Sequence, residues 1–269
     1  MKIVVTGKGG VGKTTIAASL AHVLAREGFS VLAVDADSFP NLAQSLGLPP
    51  EKAYSITPLV KNEELVEERT GARPGEGWGV LFSLTPKVDD LVEKYGVRVA
   101  EGLSLVVVGS IDAGKEGCMC PAIALAKAFL RHVLLKRGQV VIVDSEAGME
   151  VFGRGLAEKF DLMLCVAEPS LKALVAAKKM IKLARDISII RSLLVINKAK
   201  SYEEASRAYR LVFKPGEVDY HVVRYDPQVP SVEDKGLGVS SLPQTSTLMQ
   251  DVSYLAQRIC SMCRARGGD

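Results

Sequence analysis

Near its start the chain sets a lysine and two hydroxyls behind a run of glycines: Gly7-Lys8-Gly9-Gly10-Val11-Gly12-Lys13-Thr14-Thr15. Glycines let a backbone curl until several N–H groups face one anion. Lys13 supplies a mobile cation for β- and γ-phosphates, and the Thr14 hydroxyl can ligate Mg²⁺. The spacing fits G-x-x-x-x-G-K-[ST], a loop that cradles a nucleoside triphosphate such as ATP between Gly9, Gly10, Val11, Gly12, Lys13, Thr14 and Thr15.

Other reactive groups stand at the ends of apolar runs. Val31-Leu32-Ala33-Val34-Asp35-Ala36-Asp37 ends in two carboxylates that alternation puts on one side. One can assist Mg²⁺ and the other can orient an attacking water. Val140–Asp144 ends in a further acid, suited to hydrated Mg²⁺, and runs on through Ser145-Glu146-Ala147-Gly148. Leu193–Lys198 carries Asn197, whose carboxamide can pair with an adenine edge or cap a turn.

Cys118-Met119-Cys120-Pro121 offers different chemistry. Thiols spaced C-x-C do not readily close on each other, and a soft metal is their natural use. Pro121 suits the first turn of a helix, which places both thiols at a helix N-terminus, where thiolates are stabilised. One pair is half of a four-ligand site, and a two-fold dimer would bring the other half. Cys165 sits in an apolar strand and reads as core. Cys260 and Cys263 have a metal or redox spacing, but Leu248, Val252, Leu255, Ile259 and Met262 form a helical stripe there that favours packing on a sheet. The basic end of that stripe, Arg264 and Arg266, allows comparison with a membrane anchor, although large aromatics are few. His22 and His132 fall on predicted helices without ligand-spaced neighbours.

These groups need a scaffold that brings strand ends together. Val/Ile/Leu-rich runs predict strands at Lys2–Thr6, Ser30–Asp35, Leu103–Gly109, Gln139–Asp144, Asp161–Glu168 and Ser192–Lys198, with a weaker one at Val218–Val223. Helical spacing predicts Lys13–Glu27, Thr57–Glu68, Ala122–Arg137, Leu171–Arg185, Tyr202–Val212 and Ser246–Arg264. The alternation implies an α/β, doubly wound and mostly parallel sheet whose carboxyl edge binds the ligand. The whole chain, 1–269, reads as one domain. Its irregular part runs from about 47 to 102 and holds Pro49, Pro50, Pro74 and the lone Trp78.

Composition excludes other classes. The 269 residues are 48% hydrophobic and 24% charged, with a net charge of +3, too balanced to argue for nucleic acid. No apolar run approaches the roughly 18 residues of a membrane span. The first strand enters the glycine loop at once, leaving no room for a cleavable signal, and the five cysteines are too scattered for a disulfide framework. Both point to the reducing cytoplasm.

The extra lysine, Lys8, resembles the deviant loop K-G-G-x-G-K-[ST] of the MinD/ParA and nitrogenase iron-protein superfamily, which encloses ATP in a dimer. That resemblance implies that Lys8 reaches the partner's nucleotide. It also implies that Asp37 orients water, Gly148 turns its N–H to the γ-phosphate and Asn197 reads the base. Further along, Ala53–Leu59, Pro86-Lys87-Val88-Asp89, Lys94-Tyr95-Gly96, Cys118-Met119-Cys120, Ala147–Glu150, Arg154-Gly155, Glu168-Pro169 and Val195–Lys198 resemble the CooC-type ATPases. These insert nickel into carbon monoxide dehydrogenase. The resemblance implies a homodimer with Cys118 and Cys120 of each protomer holding Ni²⁺ or Zn²⁺, and a client that is carbon monoxide dehydrogenase or the related acetyl-CoA synthase. Ser38 and Phe39 replace the family's proline after Asp37, Glu146 replaces a small residue, and the likeness fades beyond Val218. An iron–sulfur cluster carrier and a MinD-like positioning ATPase are the rival readings.

Overall fold

The structure, a computed structural model, describes residues 1–37, 39–75, 81–109, 119–133, 138–145, 159–187, 189 and 191–264, the side chains of 263 and 264 excepted. Among the described residues eight strands form one sheet: β1 Lys2–Gly7, β2 Ser30–Ala36, β3 Val97–Ala100, β4 Leu103–Val107, β5 Gln139–Ser145, β6 Leu162–Ala167, β7 Ser192–Ala199 and β8 Tyr220–Arg224. Their order is β3-β4-β2-β5-β1-β6-β7-β8, parallel throughout except for the β3–β4 pair. The helices are α1 Lys13–Arg26, α2 Leu42–Ser45, α3 Pro50–Ser55, α4 Glu63–Thr70, α5 Leu91–Tyr95, α6 Cys120–His132, α7 Leu171–Asp186, α8 Tyr202–Arg210, α9 Gln228–Glu233 and α10 Thr247–Arg264. The predicted doubly wound sheet is what forms.

Every residue of β1 and of β6 is buried, as strands covered on both faces require. On one face Ile16, Leu20 and Leu24 of α1 pack with Leu248, Val252, Leu255 and Ile259 of α10. The C-terminal stripe is therefore core, as its spacing suggests. On the other face Leu125 and Phe129 of α6 pack with Leu174 and Ile181 of α7. Cys165 lies in that core, and burial pushes its thiol up to about 12. His22 is buried with Nε2 2.9 Å from the Leu46 carbonyl, while His132 is exposed. Among the described residues no helix is long and apolar enough to cross a membrane.

The segment from 47 to 102 is more ordered than its composition suggests. Leu59, Val60, Leu65, Val66 and Leu91 are buried against α6. A single helix over Thr57–Glu68 does not form. A short 3₁₀ turn, Leu59–Lys61, ends at Asn62, whose Oδ1 then accepts from the Leu65 N–H at 3.0 Å and starts α4. An Asn that satisfies an orphan N–H favours a new helix start over continuing the old one. Strand β3 was not expected: Val97–Ala100 is only four residues of weak alternation, half-buried and exposed in turn, on the sheet's antiparallel edge. Trp78, Arg266 and the expected helical residues beyond 133 lie outside the described residues. Asn62→Ala should cost about 1 kcal/mol, read as a lower urea midpoint at unchanged slope; an unmoved midpoint would mean the cap contributes nothing.

Candidate functional site

The loop between β1 and α1 is shaped by close approach. Gly7 has φ 154, and a Cβ there would lie 2.2 Å from the Val166 carbonyl oxygen of the neighbouring strand. Gly12 has φ 92, and a Cβ there would lie 2.4 Å from Asn197 Nδ2. Gly12 is also the N-cap of α1, so no side chain caps that helix, and its first turn holds no acid. The orphan N–H groups and the positive helix end are suited to receive an anion. Lys13 is buried, Thr14 and Thr15 are half-buried, and Lys8, Gly9 and Gly10 are exposed.

Parallel pairing delivers the acids. Asp35 of β2 and Asp144 of β5 stand directly opposite in register, next to the loop. Both are buried. Asp35 is pushed up to about 7, by desolvation first and then by the Asp144 charge. Asp144 is pushed up to about 6 by desolvation, opposed by a hydrogen bond from Thr14 and by the Lys13 charge. Their surroundings separate their tasks. Asp35 Oδ1 accepts from the Asp37 N–H at 3.1 Å and Oδ2 from the Leu42 N–H at 2.9 Å, so both its oxygens organise the chain after β2. Asp144 Oδ1 has no hydrogen-bond partner among the described residues although it is buried. An orphaned carboxylate oxygen and a threonine hydroxyl are oxygen donors that fit hydrated Mg²⁺, with the lysine beside them for phosphate.

A cavity of ≈ 540 Å³ opens on the loop, a volume suited to a nucleotide. Gly9, Gly10, Gly12, Lys13, Thr14 and Thr15 line it, as do Asp37 and Asn197, so the structure brings these predicted residues together. Asp37 accepts the Phe39 N–H at 3.0 Å. Asn197 is buried, and its Nδ2 donates to the Val11 carbonyl at 2.9 Å, which commits part of the carboxamide to the loop. Asp35 is turned into the fold instead of lining the cavity. Gly148 and Glu146 lie outside the described residues.

The opposite wall was missed by sequence reading. It comes from the end of β8 and the chain after it, where Arg224, Tyr225, Val229 and Pro230 line the cavity. Arg224 is held by buried Asp251, with Nε at 3.0 Å and Nη2 at 2.8 Å, and its guanidinium lies 5.1 Å from the Tyr202 ring centroid. The one signal available was an Arg-Tyr-Asp triplet just past a weak strand at the sheet's carboxyl edge.

Cys120 opens α6, exposed, with Met119 as N-cap and Pro121 in the first turn, as its spacing predicts. Cys118 lies outside the described residues. Among the described residues no group of three or more His, Cys, Asp or Glu side chains gathers to hold a metal ion.

A model of the CobQ/CobB/MinD/ParA nucleotide-binding domain matches residues 2–239. An uncharacterised ATP-binding protein of Methanocaldococcus jannaschii is 47% identical over 204 residues, which is 76% of this chain and 77% of that one. The carbon monoxide dehydrogenase accessory protein CooC of Rhodospirillum rubrum is 45% identical over 201 residues, 75% of each chain. Among solved structures, the septum site-determining protein MinD of Pyrococcus horikoshii, complexed with Mg-ADP, superposes with a TM-score of 0.67 over 98% of both chains at 19% identity, a likeness of fold. The chain thus belongs to the CobQ/CobB/MinD/ParA family of nucleotide-binding domains and is an ATPase with CooC among its relatives.

Proposed function

We propose that this ATPase is a nickel carrier, dimerising with ATP and delivering the ion to carbon monoxide dehydrogenase or acetyl-CoA synthase. The observation that carries the reading is Cys120, an exposed thiol at the start of α6 in a relative of CooC, with Cys118 two residues before it. A helix start favours an anionic sulfur. Two thiolates are half of a tetrahedral or square-planar set, and a second protomer completes it. Nickel or zinc is then cargo, held between subunits, and the carrier works in the cytoplasm.

Hydrolysis follows from the loop. The α1 N-terminus and Lys13 take the charge of the β- and γ-phosphates. Thr14 and Asp144 would hold Mg²⁺, which neutralises charge on the phosphates. Asp37, on the cavity wall, orients the water that attacks the γ-phosphorus as the bond to ADP breaks. Lys8 is exposed at the mouth of the loop, where a cation can reach a second subunit's nucleotide. Asn197 keeps one N–H and its oxygen for the adenine edge.

Separable losses are expected. Lys13→Ala should weaken ATP binding by about a hundredfold or more, whereas Lys8→Ala and Asp37→Ala should bind ATP and lose hydrolysis by about a hundredfold. Equal turnover in Lys8→Ala and the parent would contradict a trans role for Lys8. Cys118→Ser with Cys120→Ser should abolish nickel binding and leave ATP affinity unchanged, as read by metal analysis and calorimetry. Retained tight nickel binding would move the site to Cys260 and Cys263, and visible cluster absorbance after reconstitution with iron and sulfide would favour a cluster carrier.

The buried acids give a pH signature. A carboxyl raised from 3.8 to about 6 in the fold takes up protons on folding between those values, so its burial costs least in acid and most above about 6. Without metal, Asp144→Asn should be more stable than the parent at about pH 8, on the order of 2 kcal/mol. The difference should vanish as pH falls toward about 4. Chemical denaturation across this range in chelator checks it, and a pH-independent difference would contradict the buried-charge account.

A further inference from the structure

Two consecutive residues at the end of β7 grip two consecutive carbonyls of the phosphate loop. Asn197 Nδ2 donates to the Val11 carbonyl at 2.9 Å, and Lys198 Nζ donates to the Gly10 carbonyl at 2.7 Å. Lys198 Nζ also meets Glu168 Oε1 at 2.9 Å, at the end of the adjacent strand β6. To reach this place Lys198 takes φ 58, and among the described residues it is the only non-glycine with positive φ. Side chains avoid that region unless their surroundings hold them there.

The carbonyl of Gly10 and the N–H of Val11 belong to one planar, trans peptide, so they point in opposite directions. Fixing one fixes the other. A loop that cradles phosphate must turn its N–H groups inward, which sends its carbonyls outward to find donors. Lys198 supplies such a donor, and its charge strengthens the bond. Glu168 holds the ammonium in position. Neither residue figures in the phosphate chemistry above.

We propose that Lys198, braced by Glu168, is a positioning residue of the nucleotide site: it locks the Gly10–Val11 peptide with its N–H toward the phosphates before ATP arrives. The proposal rests on the loop being the ATP site and deepens that reading. A preset loop needs no reorganisation on binding, so the effect belongs to phosphate affinity and not to the base.

Calorimetric titration with MgATP and with pyrophosphate separates the roles, alongside steady-state hydrolysis. Lys198→Met should weaken both ligands by a common factor of about tenfold, because the lost bond is charge-assisted but partly exposed. KM for MgATP should rise in proportion while kcat stays within about threefold. Lys198→Arg should restore most of the loss, and Glu168→Gln should show a smaller loss in the same direction. Pyrophosphate affinity unchanged in Lys198→Met would overturn the proposal, and so would a loss confined to MgATP, which would put the lysine on the base or ribose. If Lys198→Met does not fold, the same ratio in Glu168→Gln decides. Lys13→Ala separates the two levels: if it keeps full pyrophosphate affinity, the loop is not the phosphate site at all.

Discussion

A loop that holds phosphate through its amides must keep several N–H groups unbonded and aimed at one point. The rest of the molecule answers to that constraint. The loop leaves β1, a strand buried on both faces between β5 and β6, so its root cannot shift. Gly7 and Gly12 allow approaches to Val166 and Asn197 that a Cβ would block. Because all of the strands around β1 run parallel, the chemistry at their ends meets at one edge: Asp35, Asp144, Glu168, Asn197 and Lys198. Asp144 stands beside Lys13 and Thr14, while Asn197 and Lys198 donate to the loop's carbonyls.

That arrangement costs stability. Asp35 and Asp144 face each other across adjacent strands in a dry setting, and both resist ionisation. Among the described residues, Oδ1 of Asp144 is a buried acceptor without a donor. A fold selected only for stability would place neutral groups there. A bound divalent cation would offset that charge, which would link metal binding to folding.

Much of this was legible in the residues. The glycine loop, the apolar strands ending in acids and the stripe of α10 each follow from local pattern, and each stands where the pattern puts it. What escaped was set by non-local contact. β3 has too weak an alternation to announce itself and exists because β4 offers an edge. Asn62 breaks an apparently continuous helix through one side-chain acceptor. The wall carrying Arg224 and Tyr225 has no motif; Arg224 becomes part of the site through Asp251, distant in sequence and brought near by α10. Asp35 was expected to assist Mg²⁺, but its oxygens serve two backbone N–H groups, a role that only the path of the chain reveals.

Strand β1 and helix α6 share a further bond. Lys2, at the start of β1, donates through Nζ to the Arg131 carbonyl at 3.1 Å near the end of α6. The strand that leads into the phosphate loop is thereby tied to the helix that begins at Cys120. Nucleotide chemistry and metal carriage would act on one connected framework, and a shared metal requires two such frameworks. Native mass spectrometry of the protein with MgATP and nickel tests this directly: a dimer carrying one nickel ion is the expected species, whereas nickel carried by monomers, or ATP-bound dimers that take up no nickel, would contradict a metal held between subunits.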